Sequence, residues 1–486
     1  MRRRMFIPTH TRSMGVGVLV AIGVILAPIL SWPQAAPSSP NVAWHPAQEQ
    51  FLQKEEHNIA KVELAPSPGT VYSLADLIAF AESHNPDTRI AWERARADAE
   101  ALGVARSELY PLLTAVALSE TTRTEAYFGT RYYRATLQDF GLALDLNYTV
   151  FDFGARSGRI DLAKARVLAS DFEFNDAHRR VIYRVETAYY QLLNAAGQEE
   201  AARATLANAQ AVEQSAQASL KNGLATLPDV LEARSATARA QYDLQATLGA
   251  EDVARGNLAT ALGISPQPIT IQSIDQISIP DEVEVSIDET IDRAVAQRPD
   301  MLKRLAEIRS ANAQIKEAKS AYFPSLRLHV NPDLQSLYAM QQQFPWGHTA
   351  GLDGVISFGL TWTVFDGGAR KHSVAQAKDH LQAARAQAAA TRDQIENGVW
   401  TAYSEVKTAF RQRESAAAFL EAASQSYNAA LESYHYGVRN LLDVTEAQRT
   451  LAQARSADIS ARTQVLATLA DLAFETSDSI RMRSHL

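Results

Sequence analysis

One unit of about 190 residues is written twice in this chain, so whatever the first copy folds into, the second must fold into as well. The stretch "YTVFDFGAR" at 148–156 returns as "WTVFDGGAR" at 362–370. "IAFAESHNPD" (78–87) lies over "IDRAVAQRPD" (291–300), and "SELYPLL" (107–113) over "SAYFPSL" (320–326), both at an offset of 213. Past the FDFG/FDGG turn the offset becomes 214, and "NGLATLPDVLEAR" (222–234) lies over "YGVRNLLDVTEAQ" (436–448). Four anchors in one order, with one residue of drift, mark the tandem duplication of a whole structural unit, because solenoid repeats are far shorter.

Each unit reads in the same order. A helix opens it (74–109; 287–322) and stops before Pro111 or Pro324, since proline disfavours the α region in the residue ahead of it. Two strand-like segments follow with a polar loop between them. Next comes a long proline-free helix (155–221; 369–435), rich in Ala, Gln, Glu and Arg, all strong helix formers. Gly223 and Gly437 end it, as glycine allows at a C-terminal cap, and a second helix returns over 228–262 or 441–475. This gives a first unit at 72–262, a proline-bearing linker at 263–285, a second unit at 286–475 and a tail at 476–486. A helix of this length spans ~100 Å and is stable in water only with neighbours along it. Its apolar positions show no leucine-seamed heptad, so a broad array of helices packed side by side through alanine is expected.

The strands have a different period. Leu142, Leu144, Leu146, Tyr148 and Val150 alternate with polar or small residues, as do Ile356, Phe358, Leu360, Trp362 and Val364, in phase at offset 214. Strands of about nine residues with one apolar face fit a membrane β-strand. "LLTAVAL" (112–118) and "LRLHV" (326–330) complete a set of four. A strand on an ordinary sheet with one buried face is the alternative. If the strands enter a membrane, several chains must share one barrel, because four strands cannot close one and an open sheet edge cannot face lipid; two copies give eight strands around a filled interior, and three give twelve and a lumen.

The N-terminus carries Arg2, Arg3 and Arg4, an apolar run at 15–30 and small residues near Ala35 and Ala36, which reads as a cleaved signal peptide over 1–36. Residues 37–71 have no counterpart in the repeat, and no role can be read for them. The net charge is -8, and -12 once the signal and its four arginines are gone, which argues against nucleic acid as a partner. The absence of cysteine excludes disulfides, thiolate metal sites and lipidation after the signal. No GxSxG, GxxxxGKS/T or HExxH pattern occurs, and His372 and His380 are too far apart for one metal, so no enzyme activity, cofactor or metal is expected.

The order and repetition of these motifs resemble the TolC-type outer-membrane efflux and secretion channels, over about residues 72–475. The resemblance implies a mainly α fold with a membrane β-barrel. Each tandem-duplicated protomer of a homotrimer would give four strands to a twelve-stranded barrel and its long helices to a coiled-coil tunnel in the periplasm. It implies a non-enzymatic exit duct in the outer membrane of a Gram-negative-type cell, contacting lipid, a periplasmic adaptor and an inner-membrane pump. The strand-to-helix turns are Asp152 and Gly154, and Asp366, Gly367 and Gly368; Phe153 stands where the family and the second unit have glycine, so a differently bent first turn is expected. A non-channel adaptor or structural tether is the alternative, and the in-phase apolar strands speak against it.

By the same resemblance the reversals at Gly223 and Gly437 form the periplasmic tip. Asp443 and Glu446 match an acidic ring at the aperture, and Tyr434, Arg439 and Asp229 match contacts that hold it closed. Acids in the first turn of a helix also complement its dipole, and Asp229 and Asp443 can do that alone. Tyr127, Phe128, Tyr132, Tyr133, Tyr338, Phe344 and Trp346 fall in the loops between strands, where an interfacial belt is expected.

Overall fold

The computed structural model describes residues 71–128, 131–280, 286–341 and 347–477. The signal segment, the extension up to residue 70 and the tail after Ser477 lie outside them, as do Phe344 and Trp346. In chain order the elements are β1 (Val71–Tyr72), α1 (Leu74–His84), α2 (Pro86–Ser107), β2 (Leu112–Phe128), β3 (Arg131–Phe151), α3 (Ala155–Lys221) and α4 (Leu227–Leu262). After β4 (Thr270–Ile271) the second unit repeats them as α5 (Ile287–Gln297), α6 (Pro299–Ser320), β5 (Ser325–Gln341), β6 (Gly347–Thr361), α7 (Ala369–His435) and α8 (Leu441–Thr476).

Each unit opens with two helices rather than the single one expected. Asn85 and Arg298 precede prolines and are forced out of the α region, to φ -66, ψ 130 and φ -64, ψ 131. The break has a use. Asn85 Nδ2 donates to the Ala261 carbonyl at 2.8 Å and Arg298 Nη1 to the Glu475 carbonyl at 3.0 Å, repeat-equivalent positions in the last turns of α4 and α8. Carbonyls at a helix C-terminus lack intrahelical partners, and each unit supplies one from its own opening break. In the second unit the lock is charged. Arg298 pairs with Asp300 at 2.8 Å, and the buried Arg179 of α3 donates to the Phe474 carbonyl at 2.8 Å.

The long helices do keep a strict seven-residue spacing, carried by alanine instead of leucine. On α7 the buried positions include Leu381, Ala388, Ile395, Ala402, Ala409 and Ala416 at every seventh residue. On α4 they include Ala233, Ala240, Ala254 and Ala261. A sustained seven-residue repeat winds helices into a left-handed supercoil, and small seam residues bring their axes close. α3 packs with α4 and α7 with α8, and α8 also packs on α3. Gly158 of α3 meets α6 so closely that a Cβ there would lie 2.8 Å from the Glu317 backbone nitrogen.

The segment read as a linker is an isoleucine-rich strap. Ile264, Ile269 and Ile274 are buried in the same core as Leu77, Tyr189 and Leu258, and Arg462 of α8 holds Asp275 at 2.8 Å. β1 and β4 pair in parallel within this region.

The four long strands form one antiparallel sheet in the order β2-β3-β5-β6. They run to 17, 21, 17 and 15 residues, well past the nine expected. Residues taken for polar loops are strand, among them Tyr127, Phe128, Tyr132, Tyr133 and Tyr338. β5 continues through Pro332, where its pairing to β3 is interrupted between Asp333 and Val330, as expected of a residue without an N–H. At the other end, Trp362 and Val364 lie beyond β6, which stops at Thr361 opposite Ser325, the first residue of β5. Directly opposed residues share a face. One face therefore carries rows such as Leu113, Leu146, Val330 and Ile356, and the other rows such as Val116, Ala143, Asp333 and Asp353.

Replacing Asn85 with Ala removes the donor to a carbonyl in a buried setting and is expected to cost about 1–2 kcal/mol. Denaturant titration of the detergent-solubilised protein reads this; an unchanged midpoint would mean the carbonyl finds water instead.

Candidate functional site at the helix reversals

Both reversals use the same backbone device. α3 ends with Gly223 at φ 71 and α7 with Gly437 at φ 72, a left-handed region that costs glycine nothing. The Leu224 N–H reaches the Ser219 carbonyl at 2.8 Å and the Val438 N–H reaches the Ser433 carbonyl at 2.9 Å, closing each helix end. The return helices start differently. In the first unit Asp229 is spent on the cap: its Oδ2 accepts from the Thr226 N–H at 2.8 Å and from Thr226 Oγ1 at 2.7 Å. Those two hydrogen bonds, side chain first, hold its carboxyl below the usual carboxylate range.

In the second unit Asn440 takes over the capping. Its Oδ1 accepts from the Asp443 N–H at 2.9 Å, so the Asp443 carboxylate is left unused. Asp443 and Glu446 are exposed, three residues apart on one side of α8, and Arg439 is exposed just before it. Among the described residues none of these three side chains has a hydrogen-bond or ion-pair partner. Tyr434 packs on a core of Tyr427, Leu441 and Val444, with its hydroxyl buried and unpartnered among the described residues. The structure thus brings Tyr434, Arg439, Asp443 and Glu446 to one helix end, and leaves Asp229 at the other reversal in a local cap.

Sequence reasoning passed over the apolar residues of these tips. Leu224 is 82 % exposed and Val438 79 %, and they are repeat-equivalent; Tyr436 and Leu442 are also bare. The signal was available in the apolar residues that flank each turn glycine.

The strand-to-helix turns share one internal design. Asp152 Oδ2 accepts from the Arg156 N–H at 3.0 Å and from Arg156 Nε at 2.8 Å; Asp366 Oδ2 does the same with Arg370 at 3.1 and 2.6 Å. Burial would push Asp152 up, but the Arg156 bonds outweigh it and hold its carboxyl low. The expected difference in bend is absent. Phe153 at φ 50 and Gly154 at φ 100 trace the same path as Gly367 at φ 64 and Gly368 at φ 92. Beside the first turn lies a polar groove of about 530 Å³ lined by Asp152, Arg159, Glu317 and His380, and no metal-binding cluster occurs among the described residues.

Asp229→Ala is expected to cost about 1 kcal/mol through the lost cap. Because the folded-state carboxyl is held low, its contribution is present above the ordinary carboxylate pKa and is lost as pH falls through the lowered value, below about pH 4. Stability of this variant should converge with wild type in acid titrations; a difference that stays constant to pH 2 would contradict the cap.

Residues 77–264 and 290–475 match the profile of the family described as "Outer membrane efflux protein". The chain is 27 % identical over 415 residues to the protein CyaE of Bordetella pertussis, covering 82 % of this chain and 83 % of that one. It is 25 % identical over 426 residues to the toluene efflux pump outer membrane protein TtgC of Pseudomonas putida, covering 82 % of each. The fold superimposes on the outer-membrane channel OprN with a TM-score of 0.73 at 19 % identity, over 86 % of this chain and 96 % of that one.

Proposed function

This chain belongs to the outer membrane efflux protein family, and from that premise we infer that three copies form a passive exit duct gated at its helix reversals. Members of this family are efflux channels rather than enzymes, and the chain resides in the outer membrane with a periplasmic helical tunnel. The non-channel adaptor alternative gives way to this membership.

The trimer is supported by the sheet. Among the described residues β2 and β6 each have one bonded neighbour and one free edge, and such edges cannot stand in hydrocarbon. Laying β6 of one copy against β2 of the next closes twelve strands in three copies, with the apolar rows outward and the polar rows around a lumen. The exposed apolar tips at Leu224 and Val438 suit a periplasmic adaptor protein that joins the duct to an inner-membrane pump.

The gate rests on one observation: Arg439, Asp443 and Glu446 are charged, exposed and, among the described residues, unpartnered at the same helix end, whereas Asp229 is consumed by its cap. Three copies would set six carboxylates around the aperture, favouring cations, with Arg439 supplying the bridge that closes it to a neighbouring copy. Tyr434, beneath them, would fix the α7 end against which that bridge forms.

Detergent extraction of outer membranes is expected to yield a detergent-dependent trimer by mass; a detergent-free monomer would end the shared-barrel reading. Arg439→Ser should raise ion leakage through the resting channel in planar bilayers. An unchanged single-channel conductance would remove Arg439 from the gate and leave the duct itself standing.

A further inference from the structure

Inside the chain, α3 of the first unit lies against α8 of the second along a series of contacts. The Arg179 guanidinium donates to the Phe474 carbonyl at 2.8 Å, the Tyr183 hydroxyl to Asp471, and Gln198 Nε2 to the Ser456 carbonyl at 2.9 Å. Thr463 Oγ1 donates to Asn194 Oδ1 at 3.3 Å. Shifted by the repeat offset of 214, α3 corresponds to α7 and α8 to α4. α7 follows β6 directly, and α4 meets at Asn85 the start of α2, which leads into β2. Both helices therefore continue the free edges of the sheet.

This second seam is bare within the chain. Position 186 of α3 lies seven residues past Arg179, on the face that meets α8. Its repeat partner is Trp400, on the side of α7 opposite the buried Ile395 and Ala402, and 57 % exposed. Thr463 and Ala470 of α8, seven apart and buried, have Gly249 and Gly256 of α4 as partners, on the side opposite the buried Ala254 and Ala261. A Cβ added at either glycine would meet no neighbouring atom within 4 Å. Glycine inside a helix is destabilising relative to alanine, and nothing among the described residues requires it at 249 or 256. A backbone that is approached closely from outside the chain explains both. The levels agree: Glu186 and Ala470 fall between the Tyr183–Asp471 and Asn194–Thr463 contacts, so Trp400 and Gly256 share one height in any ring of copies about an axis along the rods.

We propose that Trp400 of one copy seats in the notch at Gly249 and Gly256 on α4 of the next, so that the seam between copies repeats the seam within the chain. The assignment rests on the reading that three copies share one barrel, and it names the surface by which their rods join. The neighbouring positions fit. The Tyr183–Asp471 bond corresponds to Asn397 and Asn257, two exposed amides that serve each other as donor and acceptor. The Gln198 bond corresponds to the exposed Gln412 and the Tyr242 carbonyl. A buried tryptophan is a common anchor of such a surface. Because the internal seam has glutamate at 186 and the external one tryptophan at 400, the two seams are not interchangeable.

With no native cysteine, a pair of introduced thiols reports without background. Full-length protein carrying Trp400→Cys and Gly256→Cys would be treated in outer membranes with a short thiol-to-thiol cross-linker, then extracted in detergent for mass determination. Covalently joined dimers and trimers are expected from the double variant and from neither single variant. A double variant of trimer mass that yields no joined copies would overturn the seat and leave the shared barrel standing. A monomer mass for the wild-type protein would remove the shared barrel and the seat with it. Side chains of the native seam give an independent reading. Gly256→Leu fills the notch and Trp400→Ala empties it, so each alone is expected to lower by several degrees the temperature at which the trimer separates on SDS gels. Combining them should recover part of the loss. Losses that simply add would show that the two positions do not meet.

Discussion

A row of backbone amides with no partner is the constraint on which the rest of this structure depends. Among the described residues β2 and β6 leave two long edges free, and no rearrangement within four antiparallel strands removes both. Hydrocarbon tolerates neither, which is the physical ground of the proposed trimer, in which the number of copies would set the bore. The long helices inherit that demand. In the proposed trimer, whatever symmetry closes the strands would be passed through the turns at Asp152 and Asp366 into rods of 67 residues, and those rods would pack with their counterparts at the same radius. Alanine at every seventh buried position suits this, since it brings helix axes close.

Duplication simplifies the problem, and its departures show where the two copies have diverged. Most devices occur twice: the pre-proline residue that caps the returning helix, the left-handed glycine at each reversal, the aspartate–arginine pair at each turn. Where the copies differ, the difference is chemical. Asn85 locks the first unit with a neutral amide, while Arg298 locks the second within a buried ionic cluster that reaches Arg179 of the first. Thr226 and Asp229 cap one return helix together, while Asn440 caps the other alone and frees Asp443. One substitution at a cap therefore decides which reversal carries free charge. Phe153 is a third such departure, an aromatic ring where the repeat writes glycine.

Much of this was legible in the chain. Period and propensity located the long helices within a residue or two, because helical structure is local and alanine-rich segments announce it. The in-phase apolar alternation found β3 and β6. Strand length was not legible: β2 and β3 run on through polar residues because hydrogen bonding to a neighbour holds them, and a ladder leaves no trace in hydropathy. The break at Asn85 was written in Pro86, but its use was not, because the carbonyl it serves lies 176 positions away in the chain.

The sequence by itself determined the duplication, the two rods, the reversals and the alternating faces, all of which depend on residues near one another along the chain. Only the tertiary structure decided that the isoleucines of 264–279 form a strap in the core, that the buried alanines fall on a strict seven-residue seam, and that a bulge turns Phe151 outward. It alone separated Asp229, held in a cap, from Asp443, Glu446 and Arg439, left bare at the other reversal. The physical reason is the same throughout: whether a polar or apolar group is satisfied depends on partners distant in sequence, and those partners exist only once the chain has folded.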